Sequence, residues 1–355
     1  MRLDVPCIAH RPYVELLQGL RERLAAVHFG LPLPAALDSR NLPRRDELAT
    51  LNELLSLLPG PRKHGLLNSR FYSPRLYAAP EALTLVLTAL RALAAHGNLH
   101  GIVFSDHYLL QALGRADPEL CSRLEAIPSV NAMLGSFDAI SAHLELIAST
   151  PFQSPTQLVL DRSLNRDLER LAEVSRRCRR TFPEIRLSLL ANEGCLSQCP
   201  FKPAHDAHIA LANLEGQSDI GLLNATLGCI DHLAAHPARL FKSPFIRPED
   251  QRHYRAYVEQ IKLCGRTLGP DFLMPLVTAY AEERYDGNLL DLFDTMAWLA
   301  RHVSVPNGRI PPGFFAMVSG CRKECEPCGY CHRLYSAIAR PRPVTLPDLR
   351  PAPTP

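Results

Sequence analysis

The sequence has little of what a membrane, secreted or nucleic-acid-coating protein needs. Its longest apolar stretch, EALTLVLTALRALAAHG, is interrupted by Arg91 and is too short to span a bilayer. The opening MRLDVPCIAHRPYVELL has no apolar core and no small-residue cleavage site, so no signal peptide is expected and the reading is cytoplasmic. A net charge of +3 over 355 residues is small and gives no lean toward nonspecific binding of nucleic acid or anionic membrane. Two hydrolase signatures are missing. There is no H-E-x-x-H for a zinc protease, and GQSDIG misses the spacing of a G-x-S-x-G serine elbow. No repeat of solenoid period is present, which excludes the stacked-repeat architectures.

What is present is a large apolar fraction, 46%, ample for one large α/β core. Short β-rich runs alternate with amphipathic runs, the pattern of βα units around a parallel sheet. The strand candidates are RLDVPCIA, AAVHFG, KHGLLN, GIVFSD, LEAIPSV, QLVLD, IRLSLLAN and QIKLCGR. Eight is the number a TIM-barrel-like (β/α)8 parallel barrel needs. Helices are expected in RRDELATLNELLSLL, APEALTLVLTALRALAAHG and NRDLERLAEVSRRC, and again over TAYAEERYDGNLLDLFDTMAWLARH.

The expected domain plan is a barrel over 1–268 with a long insertion, 195–258, before the last strand. A helical, Cys-rich extension over 269–340 and a disordered proline-rich tail over 341–355 follow. Strand ends carry Cys7, Asn68, Asp106, Asn131, Asp161, Asn192, Glu193 and Cys264. Active sites of such barrels gather at one mouth, although Asn and Asp also favour turns and helix N-caps.

Eleven cysteines are many for a chain without secretory signals, and clustered thiols in a reducing compartment point to metal before disulfides. CRKECEPCGYC places Cys321, Cys325, Cys328 and Cys331 with three, two and two intervening residues. That run is too tight for two zinc knuckles and suits an iron–sulfur cluster better. Cys321, Cys325 and Cys328 also share the C-x-x-x-C-x-x-C spacing of radical S-adenosylmethionine enzymes. In those enzymes the motif follows an early strand, and a glycine-rich segment accompanies it; neither holds here. NEGCLSQCPFKPAH adds a second group, Cys195 and Cys199, with Cys229 in the same excursion and Cys264 or Cys7 as a further ligand from the neighbouring first and eighth strands. His205 and His208 stand as H-x-x-H in that excursion. Cys121 and Cys178 stand alone and read as ordinary residues.

LLANEGCLSQCPFKPAH resembles the N-E-G-C…C-P…H motif of the peptidase U32-like family of collagenase-like proteases, which takes in iron–sulfur proteins of ubiquinone biosynthesis. LDVPC, GLLNSRF, FKSPFIRPEDQRHY, IKLCGRT and AYAEERYDGNLLDL resemble further blocks of that family, in order from about residue 3 to residue 332. The resemblance implies a TIM-barrel-like fold and a cysteine-ligated [4Fe-4S] cluster. It also implies oxygen-independent hydroxylation of a small molecule or an RNA base with prephenate as co-substrate, and a heterodimer with a related member. Cys195 and Cys199 match the family's ligand pair. The four-cysteine C-terminal run is absent from the short ubiquinone proteins and suits a second cluster.

The expected site therefore has Cys195, Cys199, Cys229 and Cys264 holding a cluster at the mouth and Cys321, Cys325, Cys328 and Cys331 holding another. Asn68, Asp106, Asp161, Asn192 and Glu193 line the pocket. Arg247, Lys262, Arg266 and His205 bind the substrate. The competing readings are a peptidase, a non-catalytic electron-transfer or partner subunit, and a radical S-adenosylmethionine-type enzyme.

Overall fold

Runs rich in Leu, Val, Ile and Phe, closed by Asn, Asp or Gly, form strands because branched and aromatic side chains pack on a pleated surface while the closing residues favour turns. A computed structural model describes residues 1–33, 37–39, 47–78, 80–216 and 220–342. It forms the strands β1 (Arg2–Pro6), β2 (Leu24–Gly30), β3 (Arg62–Leu67), β4 (Gly101–Phe104), β5 (Glu125–Pro128), β6 (Gln157–Leu160), β7 (Arg186–Leu190) and β8 (Gln260–Lys262). They pair in the order β5-β4-β3-β2-β1-β8-β7-β6, and every ladder is parallel. All eight expected strands are found, and the fold is a nearly closed (β/α)8 barrel.

Closure happens between β5 and β6. A parallel bridge joins Glu125 to Gln153, with Ala126 N–H on Gln153 O at 3.1 Å and Gln153 N–H on Leu124 O at 2.9 Å. The buried Glu125 carboxylate ties the seam further. It accepts the Thr156 amide and hydroxyl, each at 2.9 Å, and pairs with Arg62.

Outward side chains such as Leu3, Val5, Val27, Phe29, Phe104 and Leu189 pack under the surrounding helices. Leu66, Val103 and Ile127 form a separate apolar cluster, as expected when alternate residues of adjacent strands face the barrel axis. Beside that cluster the interior is polar. Asp4 on β1 accepts from Lys262 Nζ on β8 at 2.6 Å, approaches His28 Nδ1 on β2 at 2.7 Å, and takes Gln157 Nε2 from β6 at 3.1 Å. Because β6 and β1 are not neighbours, that last bond crosses the barrel.

Burial alone pushes the Asp4 carboxyl up, but Lys262 and His28 outweigh it and hold it well below the usual carboxylate range. Burial pushes the His28 ring down to about 4 and the His64 ring to about 3, so both sit neutral inside.

The helix Pro270–Glu282 packs on β1 and on the helix Arg11–Gly19. The helix expected to run on through residue 302 stops at Glu282. Glu283 takes a left-handed turn at φ 56°. Beyond it the Asn288 side chain accepts the Leu290 and Val305 amides, which fixes an irregular loop over Y-D-G-N in place of helix. Only a short helix, Ala297–Ala300, follows.

Among the described residues no helix is long and apolar enough to cross a membrane. Most of the tail expected to be disordered, residues 343–355, lies outside the described residues.

Two outcomes follow from the interior charges. Lys262→Met strands a buried carboxylate and is expected to cost about 3–5 kcal/mol in urea unfolding, part of it recovered in the Asp4→Asn/Lys262→Met double variant. His28 and His64 bind a proton in the unfolded chain below about pH 6.5 but resist it when folded until about pH 4 and 3. The unfolded state therefore holds more protons across that window, and stability falls as pH drops from 7 toward 4. Urea midpoints against pH should show this slope, and His64→Leu should flatten it.

Candidate functional site

The ends of β3 through β8 open at one mouth, and most polar residues there are bound to each other. Buried Asn68 accepts the Ser39 amide at 3.2 Å and donates to the Ser129 hydroxyl at 3.3 Å. Asp106 caps the helix His107–Ala116, taking the Tyr108 amide at 2.8 Å and the Tyr77 hydroxyl. Asp161 caps the turn Arg162–Arg166 through the Ser163 amide at 2.9 Å. These two aspartates thus do the capping work that their position after a strand favours.

Asn192 is fully buried and bridges two segments. It donates to Cys264 O at 2.9 Å and Leu292 O at 3.0 Å, and accepts the Cys264 amide at 2.8 Å and thiol at 3.3 Å. Glu193 pairs with Arg162, both nearly buried.

The cations expected to bind substrate already have carboxylate partners. Arg247 forms a bidentate fork on Asp250 at 2.8 and 2.9 Å. Arg266 pairs with Asp38 at 2.9 Å, and Lys262 lies inside the barrel on Asp4. His205 Nε2 meets Asn224 Nδ2 at 3.2 Å. Sequence reasoning missed Arg162, Lys202, Asp206, Asp4 and Asp38. Lys202 reaches Asn131 Oδ1 at 3.0 Å and Asp206 at 2.6 Å, and burial pushes its ammonium pKa down. The one legible signal was the four-residue step from Lys202 to Asp206, which puts both on one helix face.

The thiols outside the core fall into two groups. Cys195 follows β7 through Gly194, where an added Cβ would meet Met296 Cγ at 2.5 Å, so a larger residue would require the Met296 side chain to move. Burial pushes the Cys195 thiol up to about 11, while Arg162 and Lys202 draw it down and Asp294 and Cys199 push it up. Cys229 starts the helix Cys229–Ala235, and its thiol is raised by burial and by Cys199. Cys195, Cys199 and Cys229 thus form a chain of electrostatic neighbours above β7. Cys264 sits on the Asn192 side.

The second group is the C-terminal run. The single turn Cys325–Cys328 ends at Gly329, left-handed at φ 57°, and the helix Tyr330–Ile338 carries Cys331. The Lys323 amide donates to Cys321 Sγ at 3.4 Å. Burial raises the Cys331 thiol, Lys242 lowers it, and Cys321, Cys325 and Cys328 raise it, so all four thiols lie close enough to repel as thiolates. Cys321, Cys325 and Cys328 are exposed.

All four line one cavity of about 1120 Å³, together with Ser197 and Gln198 of the loop between Cys195 and Cys199 and with Arg166 and Lys242. The cavity thus reaches the loop between Cys195 and Cys199 but not those two thiols themselves. Among the described residues, no three His, Cys, Asp or Glu side chains are grouped to hold a single metal ion. An all-thiol donor set around a roomy, cation-lined cavity suits the larger iron–sulfur cluster.

Fold and site together define a (β/α)8-barrel protein with a thiol-rich mouth. No family model matches the chain. The chain is 31% identical over 179 residues to the "Uncharacterized protease MJ1657" of Methanocaldococcus jannaschii, over 50% of this chain and 51% of the relative. It spans about half the length of that curated relative. Among solved structures it is similar to "The Structure of the U32 Peptidase Mk0906", at 13% identity and a TM-score of 0.47, covering 74% of this chain and 92% of that one.

Exposure predicts an order of thiol reactivity. In metal-free folded protein, iodoacetamide followed by mass spectrometry should label Cys321, Cys325 and Cys328 first. Cys7, Cys121 and Cys178, buried and with thiols pushed up by that burial, should label only on unfolding.

Proposed function

We propose that the protein is a cytoplasmic iron–sulfur protein performing oxygen-independent redox or hydroxylation chemistry on a small molecule or RNA base at the barrel mouth. The observation that supports this most is the shared cavity: four C-terminal thiols and the loop joining Cys195 to Cys199 border one space. Cys195, Cys199 and Cys229, with Cys264 from the neighbouring strand, would hold one [4Fe-4S] cluster. Cys321, Cys325, Cys328 and Cys331 would hold the other.

Bound clusters supply one-electron transfer or, at an open iron, Lewis acidity. The remaining work falls to the chain. Arg162 and Lys202 place positive charge beside Cys195, which favours its thiolate once a metal competes for the proton. Glu193, held by Arg162, is fixed at the mouth as a carboxylate able to accept a proton from a substrate. Asn192 locks the end of β7 to Cys264, so the two strand ends that carry candidate ligands keep a fixed separation. Prephenate as co-substrate and a related family member as partner belong to this reading through the resemblance.

The competing peptidase reading draws on the relative's printed name. A cysteine peptidase needs a thiol lowered by an adjacent imidazole. Cys195 is instead raised to about 11, and its electrostatic neighbours are Arg162, Asp294, Lys202 and Cys199.

Anaerobic purification with iron and sulfide analysis and EPR tests the proposal. Iron and sulfide should be present in the parent, and Cys195→Ala and Cys328→Ala should each lose part of the iron. Complete loss in both variants would mean a single shared cluster. Stoichiometric zinc without iron would refute the redox reading.

A further inference from the structure

Three of the C-terminal thiols, Cys321, Cys325 and Cys328, stand at the surface, whereas Cys195 and Cys199 are only partly exposed. A redox centre at the surface exchanges electrons with a partner most readily, while a buried one is shielded from solvent for chemistry. The cavity between them is strongly cationic. Arg166, Arg239, Lys242, Arg322 and Lys323 line it against the single carboxylate Glu324, a surplus of four positive charges. Leaving out the buried Arg166, three surplus positive charges remain on this face, and about one after a thiolate-bound cluster adds roughly two negative charges. Arg322, Lys323 and Arg239 are exposed and face an approaching molecule, whereas Arg166 is buried and serves the interior.

We propose that the exposed C-terminal thiol quartet and its cationic collar form the docking port for a small acidic one-electron carrier protein. The proposal rests on the iron–sulfur reading above. Charge complementarity selects the partner: a collar that stays positive after loading attracts an acidic surface and repels a basic one. Contacts of this kind are small and short-lived.

Cys321, Cys325, Cys328 and Cys331 would hold a cluster able to accept one electron from the reduced carrier, which would be oxidised by one, with no bond made or broken. Ser197 and Gln198, of the loop between Cys195 and Cys199, line the same cavity.

The test uses the iron-loaded full chain and an acidic plant-type ferredoxin, with basic cytochrome c as control. Isothermal titration calorimetry measures association at low and at high salt, and stopped-flow absorbance follows cluster reduction by the reduced ferredoxin. Binding should be tenfold or more weaker at high salt. Arg322→Glu/Lys323→Glu should weaken it at least tenfold with iron content unchanged. Arg239→Glu, outside the thiol run, should weaken it as well, and Arg11→Glu on the helix after β1 should leave it as in the parent. Cytochrome c should not bind.

Iron-loaded protein that fails to bind ferredoxin, or binds it equally well in the charge-reversed variants, overturns the port and leaves the iron–sulfur reading standing. A chain that holds no iron at the quartet overturns both.

Discussion

A closed parallel barrel turns every second side chain toward an axis that water barely reaches, and this chain places an aspartate there. Asp4 has to be paired, and its pairing organises the fold. Lys262 comes from the strand after the long insertion, His28 from the strand before it in the ladder, and Gln157 from across the barrel. One carboxylate therefore ties β1 to the strands on either side and to a strand opposite. Buried charges of this type contribute little net stability compared with apolar replacements, but removing one partner is costly. Their effect is to specify which strands meet. The mouth inherits that specification, because β7 and β8, which lead to Cys195 and Cys264, are held in register next to β1.

The same rule of paired charge governs the mouth itself. Arg162 with Glu193, Lys202 with Asp206, Arg266 with Asp38 and Arg247 with Asp250 are all formed inside the chain. Against that background the cavity beside the C-terminal thiols stands apart, with its five cations and one carboxylate. Positive charge gathered around four thiols is an arrangement that suits thiolates, and thiolates suit metal. The loop between Cys195 and Cys199 reaches the cavity that the C-terminal thiols line.

The strands were legible because each is a short apolar run closed by a turn-forming residue, and β6 in QLVLD or β7 in IRLSLLAN needs no tertiary information to be seen. The cysteine groups were legible from spacing alone. The ion pairs were not, since Asp4 and Lys262 lie 258 positions apart and nothing local marks one as the other's partner. Arg266 read as an open cation for the same reason, its carboxylate Asp38 lying far back in the sequence, whereas the partner of Arg247, Asp250, stood three residues on and was overlooked. The helix expected through residue 302 failed because apolar periodicity in NLLDLFDTMAWLA persists through a segment that Asn288 pins into an irregular loop. Periodicity reports which side is buried, not which backbone path delivers it.

The central claim is that inorganic iron and sulfur sit among the C-terminal thiols that line the cavity and beside Cys195 and Cys199. Crystals of anaerobically prepared protein, measured on either side of the iron absorption edge, test it directly. The account predicts anomalous iron peaks within bonding distance of Cys321, Cys325, Cys328 and Cys331 and a separate peak beside Cys195 and Cys199. A map with no iron at either place, or with the four C-terminal thiols joined as disulfides, would contradict it.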